Sequence, residues 1–474
     1  MDLAGQVARN TLIQIVGKIF STLLGLLAIA IMARYLKEAG FGQYTIIIAF
    51  LSFFGIMADF GLTLITSQML SQPGAEEKTL INNLFSLRLI SAIIFLGLAP
   101  LSVLFFPYTA IIKAGVAITS LSFFFVALNQ ILVGFFQKNL TMTVVAGAEV
   151  VSRVALFLGI ILTAVFNLGL ISILAVTVLS SLVSFIIHYW FARRFIRIEW
   201  RVDLSVWLKI IKKSWPLGLT IFLNLIYLRA DILILSLLKS HSEVGIYGAT
   251  YKVIDVLTAL PFMFAGLILP ILSANWARKN IIQFNQILKR SLDAMFILAV
   301  PLIVGAQLVA RPLMIYVAGN DFAAAGDVLK ILILAIGFIF IGCLFAHAVI
   351  ALDKQRKVIG AYLFTAVTAL IGYLIFVPLY SYFGAAWVTV YSEFVIASFS
   401  LVVVMKYSGF RLNFKVLAKS ILASALMAAL ILWLSGKLNL IIIILLAGFL
   451  YLIALYLLKG VTKKDLANLF IRPD

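Results

Sequence analysis

Runs of about 18 to 25 apolar residues follow one another along almost the whole chain, and no other feature restricts its fold so strongly. As a helix, a run of that length crosses the ~30 Å of bilayer hydrocarbon. In that medium every backbone N–H and C=O must be paired within the segment or around a closed barrel. Barrel strands alternate over about ten residues, whereas these runs are continuous, so the spans are read as helices. Fourteen are predicted, over residues 11–33, 44–65, 84–106, 108–133, 141–166, 169–191, 214–238, 245–272, 293–310, 329–351, 358–380, 383–405, 415–435 and 438–458. The first is read as a helix rather than a signal peptide, because no small-residue cleavage pattern follows it and thirteen more spans do. Composition agrees: 64% of the 474 residues are hydrophobic and 12% charged, against about 25% charged in soluble domains. A water-soluble fold of this make-up could not cover its own surface.

The single cysteine, Cys343, excludes an internal disulfide framework. His188, His241 and His347 lie far apart with no ligand spacing. Neither a metal nor any other cofactor is therefore expected. The net charge of +19 would suggest a nucleic-acid partner in a soluble chain; here its distribution argues otherwise. Assigned to connectors, about 25 Lys and Arg fall on one face and 7 on the other, with five inside spans. Cations remain on the cytoplasmic side, so both termini are expected there. The basic connector, residues 193–213, reads as a solvated inner loop touching anionic membrane lipid rather than nucleic acid. The acceptor pattern at Asn139 lies in an inner connector, so glycosylation is not expected.

Two stretches about 200 residues apart resemble each other. Gly42-Gln43-Tyr44 enters the second span and Gly245-Ile246-Tyr247 enters the eighth. A weaker echo joins Gln137-Lys138 to Asp353-Lys354, and Gly169 before span six matches Gly384 before span twelve. The expected plan is all-α, with two pseudo-symmetric six-helix lobes at 1–192 and 214–406, the connector 193–213 between them, and two further helices plus a cytoplasmic tail at 407–474. Parallel repeats of this kind suit a transporter whose lobes rock about a site.

Ionisable groups inside hydrocarbon are costly and commonly mark a cavity or a partner. Five cations and five acids stand inside the predicted spans: Lys18, Arg88, Arg153, Arg229 and Lys252 against Asp59, Glu149, Asp231, Asp255 and Glu393. Glu149 and Arg153, four apart, and Lys252 and Asp255, three apart, share helix faces and can neutralise each other. Lys18, Arg88 and Asp59 fall in the cytoplasmic third of their spans, where together they can line a vestibule. The five cations offer themselves to an anionic group, guanidinium being suited to phosphate; the bland alternative is ion-paired glue between helices or snorkelling to the interface. Asp59, Asp255 and Glu393 are candidates to carry a coupling H+ or Na+. Tyr227 and Tyr251 are candidates to stack on sugar rings, with interfacial packing as the default. Pro261 either kinks its helix beyond Lys252 and Asp255 or is accommodated by packing. The last two spans face lipid, forming a groove for an acyl or prenyl tail or supporting the lobe.

The run Arg34-Tyr35-Leu36-Lys37-Glu38-Ala39-Gly40-Phe41-Gly42-Gln43-Tyr44, followed by Asp59-Phe60-Gly61-Leu62, resembles the opening of the polysaccharide-type flippases. These belong to the multidrug, oligosaccharidyl-lipid and polysaccharide exporter superfamily. Arg229-Ala230-Asp231 with Val244-Gly245-Ile246-Tyr247-Gly248-Ala249-Thr250-Tyr251-Lys252 is the second-lobe counterpart. The resemblance implies alternating access in the plasma (inner) membrane, a sugar on a polyprenyl pyrophosphate as substrate, and polysaccharide assembly proteins as partners. It implies pyrophosphate binding by cavity cations, for which Lys18, Arg88, Arg153, Arg229 and Lys252 are the positions here. A peptidoglycan-precursor flippase would be expected to gather several arginines in its first two spans, where Lys18 is the one cation inside. The rivals are a multidrug or cation antiporter of the same fold and, from another class, a membrane-embedded glycosyltransferase or polymerase. The latter needs a sizeable domain bearing catalytic groups, and the longest connectors are only about 20 residues.

Overall fold

The computed structural model describes residues 3–70, 76–139, 141–197 and 199–461, and the end of the expected cytoplasmic tail, with Lys463, Lys464 and Arg472 in its sequence, lies outside them. Among the described residues the chain is helical without strands, and it divides into two compact units, Met1–Gly245 and Ile246–Asp474. Among the described residues twelve helices are long and apolar enough to cross a membrane. Two of these contain a residue far from helical dihedrals, Lys37 (φ 54°) and Ser381 (φ 51°). Counting their limbs separately brings the twelve to fourteen passes of this multi-pass membrane protein.

The first unit holds α1 (Leu3–Asp59), α2 (Leu62–Leu70), α3 (Glu77–Ser102), α4 (Ala110–Lys138), α5 (Met142–Val165), α6 (Gly169–Ala192) and α7 (Leu204–Leu238). Side-chain contacts fix their directions. The first limb of α1 runs parallel to α5: Gly17 lies against Ala146, Gly25 faces Arg153, and the Tyr35 hydroxyl donates to Asn167 Oδ1 (3.0 Å). The second limb runs parallel to α4, with Ile47 at Gly115 and Gly55 at Phe123. In turn α4 parallels α6 through Ser122 and Ser181 (2.7 Å) and Phe125 on Phe185. By contrast α5 opposes α6, since Ser180 donates to the Ser152 carbonyl (2.7 Å) while Gly159 meets Val176. It follows that α4 opposes α5 and the two limbs of α1 oppose each other, so the chain reverses at Lys37. Hydroxyls inside these helices donate to the carbonyl four residues back, as Thr45 does to Phe41 (2.8 Å) and Thr66 to Leu62 (2.7 Å), which satisfies them in hydrocarbon.

The second unit takes up α8 (His241–Ala277) from Ile246 and continues through α9 (Ile281–Ala318), α10 (Ala323–Ala351), α11 (Ile359–Ser408), α12 (Lys415–Leu434) and α13 (Leu440–Leu457). The helix α11 is a hairpin, since Tyr373 meets Thr389 (3.2 Å), Tyr391 reaches Thr368 (3.2 Å), and Gly384 sits on the Phe376 backbone. A side chain at 384 would strike that backbone. Gly169 serves its own turn differently, through a φ of 81° that glycine adopts freely. Pro261 and Pro270 are accommodated inside a continuous α8. A cluster of Ala423, Met427, Ile431, Ile443, Ala447 and Tyr451 packs α12 and α13 together and against Ile297, Val304 and Leu308 of α9. Large apolar side chains remain exposed along both units, Leu104, Leu158, Leu267 and Leu445 among them. Lipid, not water, is the solvent those faces require.

The repeated glycines meet each other. A Cβ on Gly42 would strike the carbonyl oxygen of His241, and one on Gly245 would strike that of Glu38. Each glycine thus packs on the carbonyl four residues before the other, a reciprocal crossing of the second limb of α1 with the start of α8.

Candidate functional site

Helix α1 ends at Asp59, where Phe60 (φ 43°) and Gly61 (φ 81°) turn the chain into α2. A break in hydrocarbon exposes backbone groups that need new partners, and Asp59 supplies them at the start of α2. Its Oδ2 accepts from the Gly61 N–H (3.1 Å), and its Oδ1 from the Thr63 N–H (3.2 Å) and the Thr63 hydroxyl. On the other side of the break, the Ala58 carbonyl accepts from Arg88 Nη1 (3.0 Å) and from Ser91 Oγ (2.8 Å). Arg88, 1% exposed on α3, also pairs with Asp59 (2.7 Å), donates to the Ala127 carbonyl (3.0 Å) and donates to Gln130 Oε1. Four of its five N–H groups are engaged. The guanidinium thus ties the α1–α2 break to α3 and α4.

A cavity of about 460 Å³ opens beside this network. Asp59, Thr63, Arg88, Gln130 and the half-buried Arg229 of α7 form its polar lining, and Phe123, Val126, Ile221 and Leu225 its apolar one. Such a lining offers an anionic group its cations and apolar matter its hydrocarbon surface. The same unit carries an exposed pair, Lys18 with Glu149 (2.8 Å), and an exposed Arg153 beside Gly25. Glu149 therefore pairs across helices with Lys18 instead of along its own helix with Arg153.

The remaining sequence candidates are placed as follows. Tyr227 is buried on α7 and its hydroxyl accepts from Asn224 (2.5 Å); Tyr251 is buried on α8 against Tyr247 at 5.0 Å. Both aromatic faces are packed against protein. Lys252 and Asp255 are half-buried on α8, and Glu393 is buried on α11 at 6% exposure. Of the predicted residues the cavity brings together Arg88, Arg229 and Asp59; Lys252, Tyr251, Asp255 and Glu393 belong to the second unit. Gln130 and Thr63 are functional candidates that charge counting passes over, although an amide inside an apolar span is itself a signal. Among the described residues no group of three or more His, Cys, Asp or Glu is placed to hold a metal.

The second unit has a cavity of about 290 Å³ among α8, α9, α10, α12 and α13. It is lined by residues such as Leu257, Leu302, Ile333, Met427, Ile431 and Ile444.

These helices define a membrane transporter fold. A lipid II flippase, MurJ, in an inward-closed conformation superposes with a TM-score of 0.76 at 18% identity, covering 94% of this chain and 98% of that one. An inward-facing multidrug resistance transporter of the MATE family gives 0.69 at 13% identity, over 82% and 94%. A transporter of the same superfamily from Pyrococcus furiosus gives 0.57 at 14%, over 85% and 95%. At these identities the likeness is one of fold. The sequence profile of the polysaccharide biosynthesis protein family matches residues 7–276, and the chain belongs to that family. A search of curated proteins yields no significant match.

Proposed function

We propose that this protein is a flippase that carries a polyprenyl-pyrophosphate-linked oligosaccharide from the cytoplasmic to the outer leaflet by alternating access, for surface polysaccharide assembly. The observation that carries this reading is the membrane-embedded cavity in which Arg229, Arg88, Gln130 and Thr63 stand together in a chain of the polysaccharide biosynthesis family. A hydrated, charged headgroup cannot cross hydrocarbon unaided, and a polar lining of this kind lowers that barrier without making or breaking a covalent bond. Arg229 is assigned to the pyrophosphate; Arg88, whose donors are largely engaged, charges the wall and holds its shape. Lys18, Arg153 and Lys252 are assigned to the headgroup's path, with Tyr227 and Tyr251 supporting their neighbours unless repacking frees their faces. The apolar cavity of the second unit, with α12 and α13 along one side, suits the prenyl tail. Asp59, Asp255 and Glu393 are the candidates for a coupling ion, Asp59 being held by Arg88 and the α2 backbone.

A multidrug antiporter shares the fold, and membership in the polysaccharide family favours the lipid-linked substrate over an organic cation. The test is leaflet accessibility of a fluorescent lipid-linked oligosaccharide in liposomes. Wild-type protein should equilibrate the leaflets, and Arg229→Ala should slow this about tenfold, the loss of one charge-assisted contact. An unchanged rate in Arg229→Ala would remove the pyrophosphate assignment. No flipping by the wild-type chain, together with drug transport, would favour the antiporter.

A further inference from the structure

The basic connector, expected as a solvated loop, is fastened to α3. Alternate backbone N–H groups at Glu199, Arg201 and Asp203 donate to Asn82 Oδ1 (3.2 Å), Ser86 Oγ (3.0 Å) and Asn83 Oδ1 (2.9 Å). Between these anchors Trp200 and Val202 are exposed, as are the charged Glu199 and Arg201. Phe195 before the strap and Leu204 and Leu208 after it are exposed as well, at 60%, 69% and 68%. In water these side chains would be a costly display between Arg197, Arg201 and Lys209. At a membrane boundary the apolar groups enter the acyl layer while the cations stay at headgroup level.

The stretch leading into this strap lines a second cavity of the first unit, about 490 Å³, bounded by Lys78, Phe135, Asn139, Phe195, Ile196 and Arg197. None of these residues lines the cavity at Arg229. Lys78 reaches Glu199 (3.1 Å) at the rim, while Arg197 makes no ion pair among the described residues. We propose that this pocket binds the headgroup of an anionic phospholipid. The phosphodiester sits between Arg197 and Lys78, while Asn139, whose Nδ2 donates to the Phe135 carbonyl (3.1 Å), shapes the wall, and Phe135 and Phe195 flank the first acyl methylenes. Guanidinium matches phosphate geometry, and the apolar rim selects a lipid over a free anion. This assignment is independent of what the protein transports.

The test is native mass spectrometry of the full-length protein released from mixed micelles, counting retained phosphatidylglycerol against phosphatidylcholine at equal mole fraction. Wild-type protein should retain phosphatidylglycerol selectively. The double variant K78Q/R197Q should lose that preference by about twenty-fivefold, taking two cations each worth roughly fivefold beside an anionic surface. K78R/R197K should keep it. Inorganic phosphate should not displace the lipid; displacement at equal concentration would make this a free-anion site and overturn the proposal, as would undiminished selectivity in K78Q/R197Q. On the unsubstituted protein, photoreactive phosphatidylglycerol should mark peptides containing Phe135 or Phe195–Arg197. Marking confined to other helices would overturn the proposal even if the double variant fails to fold.

Discussion

In the first unit a cavity borders a broken helix, and Asp59, Thr63, Arg88, Gln130 and Arg229 face it. In the second unit the cavity borders unbroken helices, and Leu257, Leu302, Gly305, Ile333, Met427 and Gly448 face it with no ionisable group in the lining. The difference follows from how each space is made. Breaking a helix at Phe60 and Gly61 exposes carbonyls and N–H groups, and only polar side chains can satisfy them away from water. Space beside small residues such as Gly305, Ala306, Ala447 and Gly448 leaves the backbone ladder intact, so nothing polar is called in. One wall is therefore built for charge and the other for hydrocarbon.

The largest expected effect tests the polar wall. Arg88→Met should cost roughly 3–5 kcal/mol, because it leaves the Asp59 carboxylate without its counter-charge and the Ala127 carbonyl without the Arg88 donor in a buried site. Thermal unfolding in detergent measures this, and a loss below about 1 kcal/mol would mean that the break is held by something else. Next is the glycine crossing. Gly245→Val should cost about 1–3 kcal/mol through overlap with the Glu38 carbonyl. Because either substitution spreads the same pair of helices, Gly42→Val added to it should cost less than the sum, and a double-mutant cycle reads the shortfall directly.

The apolar wall predicts a gain instead. A Cβ at Gly305 would meet Met427 at 3.7 Å, an ordinary contact. Gly305→Ala should therefore stabilise the chain by about 0.4–1 kcal/mol, mainly by restricting the unfolded state. A loss would show that the space is already tight. The smallest effect concerns Asp203, the cap of α7. Its carboxylate is held below the usual range by the Ser205 hydroxyl, the Val206 and Ser205 backbone N–H groups and nearby Arg201. Folding favours the ionised form, so this contribution is present above the ordinary aspartate pKa and lost as pH falls through the lowered value. Asp203→Ala should lower the melting temperature slightly at neutral pH, and the gap to wild type should close in acid. A gap that widened in acid would contradict the assigned cause.

The passes were legible because apolar length is a local property. The reversals at Lys37 and Ser381 fall in the connectors that the runs leave between them, even though the helices are nearly continuous there. Ion pairing was legible only in part. Spacing joins Glu149 to Arg153, yet the packing of α1 on α5 brings Lys18 to Glu149 first, and no periodicity encodes that. Arg88 and Asp59 stand out in sequence as costly charges, but their partnership depends on the break at Phe60, a residue whose positive φ no propensity announces. The strap was hidden for the same reason: Asn82, Asn83 and Ser86 read as ordinary polar residues until the chain over 199–203 arrives to use them. The echo of Gly42 and Gly245 was visible as a repeat, and its physical basis is that the two members touch.

That touch has a mechanical corollary. Where Gly42 and Gly245 cross, main chain bears directly on main chain, and each Cα–H points at the opposite carbonyl. Such weak C–H···O contacts are worth little apiece and involve no rotamers. At such a joint the close approach is set by the two main chains themselves, and no side-chain rotamer has to be fixed to hold it.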